Sequence, residues 1–186
     1  MGDEYAMCRF GVGNGRPDPR FRRTLFDHLL GTYNLLIQWG QPQAVCLAGL
    51  FHSIYGTNVF LRQSLQASQR TELQAVIGME AEALAWLFCN IERPGAILRG
   101  LQQGMTDQAV QLDTRRDQQA MPTPTMPTAP LQVQALAEIE CANLIEQDCW
   151  GGALRELYCA SMDRPGTLSE TAIAALREGW ARQLAL

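Results

Sequence analysis

The chain has 186 residues, of which 47% are apolar and 18% are charged, a composition typical of one globular domain with a substantial core. Its formal net charge of −4 is unlike the basic surfaces that bind nucleic acids or anionic membranes, so we expect neither partner. All fifteen basic residues are arginine, which excludes Schiff-base or nucleophilic chemistry by a lysine.

The start of the chain and the cysteines predict where the protein resides. Residues 1–6 are mostly polar and acidic, whereas a signal peptide begins with a basic patch and an apolar run. The apolar stretches are shorter than a membrane span. The six cysteines are scattered and form no CxxC pair, which favours reduced, buried thiols over a disulfide framework or a zinc site. The sequence therefore predicts a cytoplasmic location.

The N-terminal segment predicts a flexible leader over residues 1–17, followed by a first helix. Asp18 and Pro19 have the chemistry of an N-cap and a first helical residue. Apolar residues then recur at spacings of three and four, and His28 and Thr32 lie on the same face. The first histidine is therefore predicted to face the interior.

A second helix is predicted over residues 43–54. It is apolar nearly all round, a pattern typical of a helix buried in a bundle. His52 falls on a stripe with Val45, Ala48 and Gly49, where small residues let a neighbouring helix approach closely. The second histidine is predicted to face the interior as well.

The remainder of the chain also has helical periodicity, with one exception. Residues 117–130 contain Met-Pro-Thr repeats, which predict an extended, solvated and mobile loop. The last helix is predicted to begin at the capping box Thr167-Leu168-Ser169-Glu170. Almost no alternating strand pattern occurs, so the predicted fold is an all-α, single-domain helical bundle over residues 18–186. The other predicted helices cover residues 70–77, 80–91, 96–103, 131–149 and 153–162.

The two histidines are the residues whose predicted positions most strongly suggest a functional site. A buried imidazole is costly unless its nitrogens are satisfied, so such a position has a reason. One reason is a structural hydrogen bond to a backbone carbonyl or to a side chain such as Thr32, Tyr55 or Asn143. The other is a functional site, because buried titratable groups concentrate at such sites. The sequence leaves both explanations open.

One stretch of sequence resembles the start of an HD-domain hydrolase. The resemblance lies between His28 and Thr57 and includes the run Ala48-Gly49-Leu50-Phe51-His52-Ser53-Ile54-Tyr55-Gly56-Thr57. Within that superfamily these residues are most like the (p)ppGpp-hydrolase branch at its first two helices. With Arg70 and the segment over residues 77–84, they are similar to an HD-like family of unknown function of the DUF6817 type. The specific part of the resemblance covers about residues 20–90.

The resemblance implies a metal site and also shows departures from it. In HD enzymes, two histidines and two aspartates bind a divalent ion that activates a water molecule. By position, His28 and His52 would be the imidazole ligands. Ser53 replaces the signature aspartate, and the neutral Asn143 is the best match to the late aspartate. Because Mg²⁺ and Mn²⁺ prefer carboxylate oxygens, these departures disfavour ordinary phosphohydrolase activity.

Three hypotheses follow, and the sequence does not decide among them. In the first, a divalent metal ion (manganese, iron or zinc) is bound by His28, His52 and a carboxylate, with Glu140 the preferred third ligand. The protein would then be a hydrolase or an oxygenase acting on a small polar molecule, with or without a phosphate group. Other candidate carboxylates are Asp27, Glu80, Glu82 and Glu146.

The second hypothesis needs no metal. Both histidines would bind a small polar ligand or act as acid and base. Ser53 and Tyr55 are then the candidate catalytic hydroxyls, and Thr32, Thr57 and Asn143 the candidate pocket residues. The third hypothesis is a non-catalytic module for ligand sensing or protein interaction, whose histidines are buried for structural reasons. Oligomeric state is left open by the sequence.

Overall fold

The computed structural model describes residues 24–57, 63–103, 109–114 and 125–185. These residues form two compact units, one ending at Cys89 and the other starting at Asn90. The described part of the chain is mainly helical, with one small two-stranded sheet, which confirms the predicted all-α class. The single domain predicted over residues 18–186 stays a prediction, and the predicted leader over residues 1–17 lies outside the described residues.

The helices of the two units follow one another closely along the chain. The first unit contains Leu25–Gln38 (α1), Gln43–Leu50 (α2), a 3₁₀ turn at Ala67–Gln69, Arg70–Ile77 (α3) and Met79–Asn90 (α4), whose last residue is the first of the second unit. The second unit contains Gly95–Gln103 (α5), the strands Val110–Asp113 (β1) and Thr125–Thr128 (β2), Pro130–Glu146 (α6), Gly152–Asp163 (α7) and Glu170–Leu184 (α8).

Helix α1 begins later than the sequence analysis predicted. Thr24 is its N-cap: the threonine side chain accepts from the backbone N–H of Asp27, and the Asp27 carboxylate accepts from the backbone N–H of Thr24. This reciprocal pair is a capping box with aspartate in the place of the more usual glutamate. The helix that carries His28 therefore starts at Leu25, and the predicted start at Asp18 and Pro19 lies outside the described residues.

Helices α1 and α2 pack closely because α2 carries Gly49. A Cβ atom at this position would lie 2.3 Å from the Leu36 side chain and 3.6 Å from that of Thr32, so a larger residue would push the helices apart. The close approach predicted from the small-residue stripe is thereby confirmed. Helix α2 is shorter than predicted, because it ends at Leu50 and residues 51–55 form a run of turns.

The core of the first unit lies between α1, α2, the turn at residues 51–55, α3 and α4. Phe51 and Tyr55 come from the turn, so this short segment is buried on the apolar side rather than lying on the surface. The core residues are Leu29, Leu47, Leu50, Phe51, Ile54, Tyr55, Leu65, Leu73, Ile77, Ala81, Ala85 and Cys89.

The second unit contains the strands that the sequence analysis missed. Val110–Asp113 and Thr125–Thr128 pair antiparallel, with Val110 opposite Thr128. The prediction of an extended, solvated loop over residues 117–130 is therefore wrong at its C-terminal end. There, Thr128 is buried and Pro130 begins α6. Pro127 stands in a strand that, among the described residues, pairs with β1 alone, and proline is tolerated in such an edge strand. Residues 117–124 lie outside the described residues.

The N-cap of the last helix lies two residues after the predicted one, Thr167. Ser169 is the N-cap and accepts from the backbone N–H of Ala172 at 3.2 Å. The Thr167 hydroxyl instead donates to the backbone carbonyl of Arg164 at 2.6 Å. Serine and threonine cap helices through the same chemistry, so the pattern indicated the helix but not which of the two residues caps it.

The described cysteines are free thiols, in agreement with the absence of a CxxC pair. Cys46, Cys89 and Cys141 are buried as predicted, whereas Cys149 and Cys159 are exposed, which corrects the expectation of buried thiols throughout. None of the helices in the described ranges has the length and apolarity that a membrane span requires.

Candidate functional site

His28 lies in the second turn of α1, and its side chain is half-buried. The capping box at Thr24 and Asp27 fixes the start of the helix just before it. One turn later, the buried Thr32 hydroxyl donates to the backbone carbonyl of His28 at 3.0 Å. Thr32 was predicted to line a ligand pocket; its hydroxyl bonds to the helix backbone.

His52 lies in the turn that follows α2, where its side chain is 3% exposed. Its Nδ1 atom is 2.6 Å from the backbone carbonyl oxygen of Gly49. A carbonyl oxygen can only accept, so Nδ1 carries the proton and donates. This bond satisfies one of the carbonyls left without a partner at the end of a helix. In the neutral ring, the Nε2 atom then carries no hydrogen and acts as an acceptor through its lone pair.

The two imidazoles meet through their Nε2 atoms, which are 3.2 Å apart. The rings are perpendicular, with centroids separated by 5.0 Å. Because His52 Nε2 is the acceptor in its neutral form, the neutral pair requires His28 Nε2 to donate. The sequence analysis predicted that both histidines face the interior, and the structure brings them into direct contact.

Helix α4 supports His52 from another side. The Cys89 thiol donates to the backbone carbonyl of His52 at 3.0 Å, and the Phe88 ring packs nearly perpendicular to the imidazole at a centroid distance of 5.2 Å. His52 is therefore held by its backbone, by its ring and by its Nδ1 atom. This leaves its Nε2 atom in a defined direction, toward His28.

Ser53 is the next residue along the turn and is 5% exposed. Its hydroxyl oxygen is buried and has no hydrogen-bond partner among the described residues. A buried hydroxyl that makes no bond is unfavourable and in a native protein calls for an explanation such as a bound water or ligand. Thr57, a predicted pocket residue, is buried two residues after Tyr55.

Tyr55, the other candidate catalytic hydroxyl, is hydrogen-bonded to a carboxylate. Its hydroxyl donates to Glu82 Oε1 at 2.9 Å, and its ring packs edge-to-face against Trp86. Burial first, and then the hydrogen bond to Glu82, raise the pKa of Tyr55 well above its ordinary value. Tyr55 is therefore a neutral hydrogen-bond donor that is committed to Glu82.

Glu82 is the centre of a buried network that the sequence analysis did not predict. Arg70 contacts both of its oxygens, with Nε 2.6 Å from Oε1 and Nη2 2.9 Å from Oε2. Gln74 donates to Oε2 at 2.8 Å, so with Tyr55 each oxygen accepts two hydrogen bonds. Burial raises the pKa of Glu82, but the hydrogen bonds from Arg70, Gln74 and Tyr55 outweigh burial and lower it.

The predicted ligands in the second unit are also part of a network. The Glu140 carboxylate forms a salt bridge to Arg93 at 2.5 Å. Asn143 donates to Glu140 at 3.3 Å and accepts from Gln147 at 2.7 Å. Both predicted residues are buried on α6, as their position on its apolar face indicated. Within their own unit they bond to an arginine and to amides.

The other candidate carboxylates have separate positions. Asp27 belongs to the capping box of α1, Glu80 is exposed at the start of α4, and Glu146 is half-buried at the end of α6. In the ranges that the structure describes, no three side chains of histidine, cysteine, aspartate or glutamate are grouped so that they could hold a metal ion.

The histidine pair itself meets two geometric requirements of a metal site. Two nitrogens bound to one tetrahedral zinc ion at about 2.0–2.1 Å lie about 3.3–3.4 Å apart, close to the observed 3.2 Å between the Nε2 atoms. Metal-binding histidines almost always donate their other ring N–H to a carbonyl or carboxylate, as His52 does to Gly49. Ser53 supplies no carboxylate, so a magnesium-type oxygen site does not fit these residues.

The first unit is thus a helical assembly with a histidine pair beside a saturated carboxylate network. Residues 18–93 match the family model described as a domain of unknown function, DUF6817. The match confirms the resemblance to that family and includes His28, His52, Tyr55, Arg70 and Glu82; the wider relation to HD domains stays a prediction. No curated protein and no solved structure matches the chain.

Proposed function

We propose that the first unit binds a divalent transition-metal ion through the Nε2 atoms of His28 and His52 and there binds a small polar molecule. The observation that carries the proposal is the 3.2 Å approach of the two Nε2 atoms. The bond from His52 Nδ1 to Gly49 supports it, because it fixes the tautomer that leaves Nε2 able to bind a metal. The cytoplasmic location remains part of the same proposal.

The donor set favours some metals over others. Imidazole nitrogen suits zinc and iron, whereas magnesium and manganese prefer carboxylate and water oxygens. The carboxylates of Glu82 and Glu140 are each paired with an arginine in their own unit, which lowers their tendency to bind a cation. We therefore expect zinc or iron(II) ahead of manganese, with the remaining coordination positions taken by water or by the ligand.

A metal bound here would supply Lewis acidity toward an oxygen of the bound molecule. The chain's own contribution is to orient the two imidazoles and to limit access of water, since His52 is buried and His28 is half-buried. The buried Ser53 hydroxyl, next to His52 along the turn, is the group that we propose hydrogen-bonds to the polar ligand. If the protein is an enzyme, metal-dependent hydrolysis or oxygenation is the reaction class that we propose.

A second candidate function is a non-catalytic module for ligand sensing or protein interaction. The same 3.2 Å separation is a normal hydrogen-bond distance. In that case His28 donates to His52, and the bond ties α1 to the turn after α2. The cap on the Gly49 carbonyl gives His52 a structural role that needs no metal.

Two substitutions at one residue separate these functions. The amide nitrogen of asparagine occupies about the place of a histidine Nδ1, and that of glutamine about the place of Nε2. His52→Asn therefore keeps a donor toward Gly49 and removes the metal-binding atom. His52→Gln removes the donor and leaves an amide near the Nε2 position.

The experiment is elemental analysis of untagged protein purified anaerobically, together with thermal unfolding of each variant. The metal proposal predicts near-stoichiometric zinc or iron in the natural sequence and none in His52→Asn, with little change in the melting temperature of the metal-free proteins. Absence of metal after reconstitution with iron(II), zinc and manganese would contradict it. A large loss of stability in His52→Gln, together with that absence, would support the non-catalytic module.

A further inference from the structure

Helix α4 presents one face to the turn that carries His52. Glu82, Trp86 and Cys89 are separated by four and three residues, so they lie along one side of the helix. Each contacts the turn at residues 51–55: Glu82 and Trp86 contact Tyr55, and Cys89 contacts His52. The turn is thus attached to α4 at both of its ends.

The Tyr55 end of this attachment contains a buried hydrogen-bond network. Glu82 is fully buried and accepts hydrogen bonds from Arg70 and Gln74 of α3 as well as from Tyr55. The Arg70 guanidinium also lies 4.4 Å above the Trp86 ring centre, where a cation–π interaction adds to the ion pair. Three elements, α3, α4 and the turn, therefore meet at one carboxylate.

A short, hydrogen-bonded turn connects Tyr55 to His52. Its backbone is closed by bonds from Ile54 to Phe51 at 3.0 Å and from Gly56 to Ser53 at 2.9 Å. All residues from 51 to 57 are buried. In a close-packed interior a displacement of one side chain moves its neighbours, so a change in the position of Tyr55 changes the position of His52.

We propose that Glu82 and Tyr55 are positioning residues for the histidine pair: their hydrogen bond sets the turn so that His52 Nε2 faces His28. This proposal deepens the proposed function. Only the binding of metal and ligand by the histidine pair rests on that function. The positioning itself is a property of the metal-free protein and is measurable there.

The test uses the ring nitrogens of the histidines. The chain has only two histidines, so their four ring nitrogens are easily assigned by nitrogen-15 NMR of metal-free, untagged protein at mildly alkaline pH. Tyr55→Phe removes only the hydroxyl that reaches Glu82. Tyr158→Phe is the matched control, because the Tyr158 hydroxyl accepts from Arg177 in the second unit.

In the natural sequence, His52 is expected to show a protonated Nδ1 and an unprotonated Nε2. In Tyr55→Phe these two chemical shifts should move toward each other, as the ring begins to exchange between tautomers, while Tyr158→Phe leaves them in place. Glu82→Gln should give a larger change in the same direction, because the ion pair to Arg70 is lost as well. Tyr55→Phe is the milder variant and decides the question if Glu82→Gln is poorly folded, because it keeps the ion pair between Arg70 and Glu82.

Zinc affinity provides a second readout. Loss of a group that orients a metal ligand typically lowers metal affinity about 10–100-fold, and we expect this range for Tyr55→Phe. Unchanged chemical shifts and unchanged affinity in both variants would overturn the positioning role. Failure of the natural sequence to bind metal would instead overturn the proposed function, and the chemical shifts would then decide the positioning role alone.

Discussion

Each unit has a buried glutamate paired with an arginine among its described residues, and the two pairs differ in how they are built. In the first unit Glu82 is fully buried and its partner Arg70 is 33% exposed. In the second unit Glu140 and Arg93 are 4% and 9% exposed. Glu82 is bound through both oxygens by an arginine, an amide and a phenol, whereas Arg93 and Asn143 both contact one oxygen of Glu140.

Despite this difference the two pairs share one property, which is that the buried carboxylate is bonded to an arginine. Both glutamates were candidate ligands by sequence, and each is neutralised within its own unit. The histidine pair differs, since two imidazole nitrogens face each other and the Gly49 carbonyl fixes the orientation of His52. The proposed metal site therefore rests on the histidine pair and does not use Glu82 or Glu140.

The largest expected effect on stability comes from Arg93→Met. Removal of one member of a buried ion pair leaves the other charge buried and costs about 3–5 kcal/mol. Urea unfolding followed by circular dichroism measures this loss. Arg99→Met is the control, because Arg99 forms exposed pairs with Asp113 and Glu92 and such pairs are worth at most about 1 kcal/mol. Equal effects of the two substitutions would contradict the comparison.

Arg70→Met should destabilise the protein less than Arg93→Met. Arg70 is one-third exposed, and Glu82 keeps hydrogen bonds from Gln74 and Tyr55 after the substitution. We expect a loss toward the lower end of the range of about 3–5 kcal/mol for a broken buried pair. A loss larger than that of Arg93→Met, measured in the same way, would reverse the ranking of the two networks.

Low pH should weaken the hydrogen-bond network around Glu82 by protonating its carboxylate. Its pKa is lowered in the folded protein from the ordinary value of 4.5, so the unfolded chain takes up a proton at higher pH. The stabilisation is therefore fully present above about pH 4.5 and is lost as the pH falls through the lower, folded pKa. Urea midpoints between neutral and acidic pH should fall less steeply for Glu82→Gln. Parallel curves for the two proteins would contradict the assignment.

Ser53→Ala has the smallest expected effect and the opposite sign. The buried Ser53 hydroxyl has no hydrogen-bond partner among the described residues, and leaving such a group unbonded costs about 1–3 kcal/mol. Its removal should leave the melting temperature of the ligand-free protein unchanged or slightly raised. A clear loss of stability would show that the hydroxyl has a structural partner and would weaken its proposed contact with the ligand.

The helices were largely predictable because their apolar residues recur with helical period. Residues 70–77 were predicted with the observed bounds, and α4 differs by one residue at each end. Predictions failed where local chemistry was ambiguous, as at the start of α1 and at the end of α2. The strand Thr125–Thr128 was missed because its pairing with a distant segment leaves no periodic signal in four residues.

The candidate site was predictable only in part. The sequence predicted His28 and His52 on the inward faces of two consecutive helices, and the structure places their side chains in contact. The bond between Tyr55 and Glu82 joins residues 27 positions apart, a separation that no helical or strand period specifies. Arg70, which pairs with Glu82, lies on another helix, so the sequence alone did not identify it as the partner.

The central claim is that His28 and His52 bind one metal ion together through their Nε2 atoms. The most direct measurement is a zinc titration of nitrogen-15-labelled, untagged protein, with the four imidazole nitrogens observed by NMR. The account predicts that both Nε2 signals shift together and stop shifting at one equivalent of zinc, while His52 Nδ1 stays protonated. Signals that do not respond to zinc, or a response from only one histidine, would contradict it.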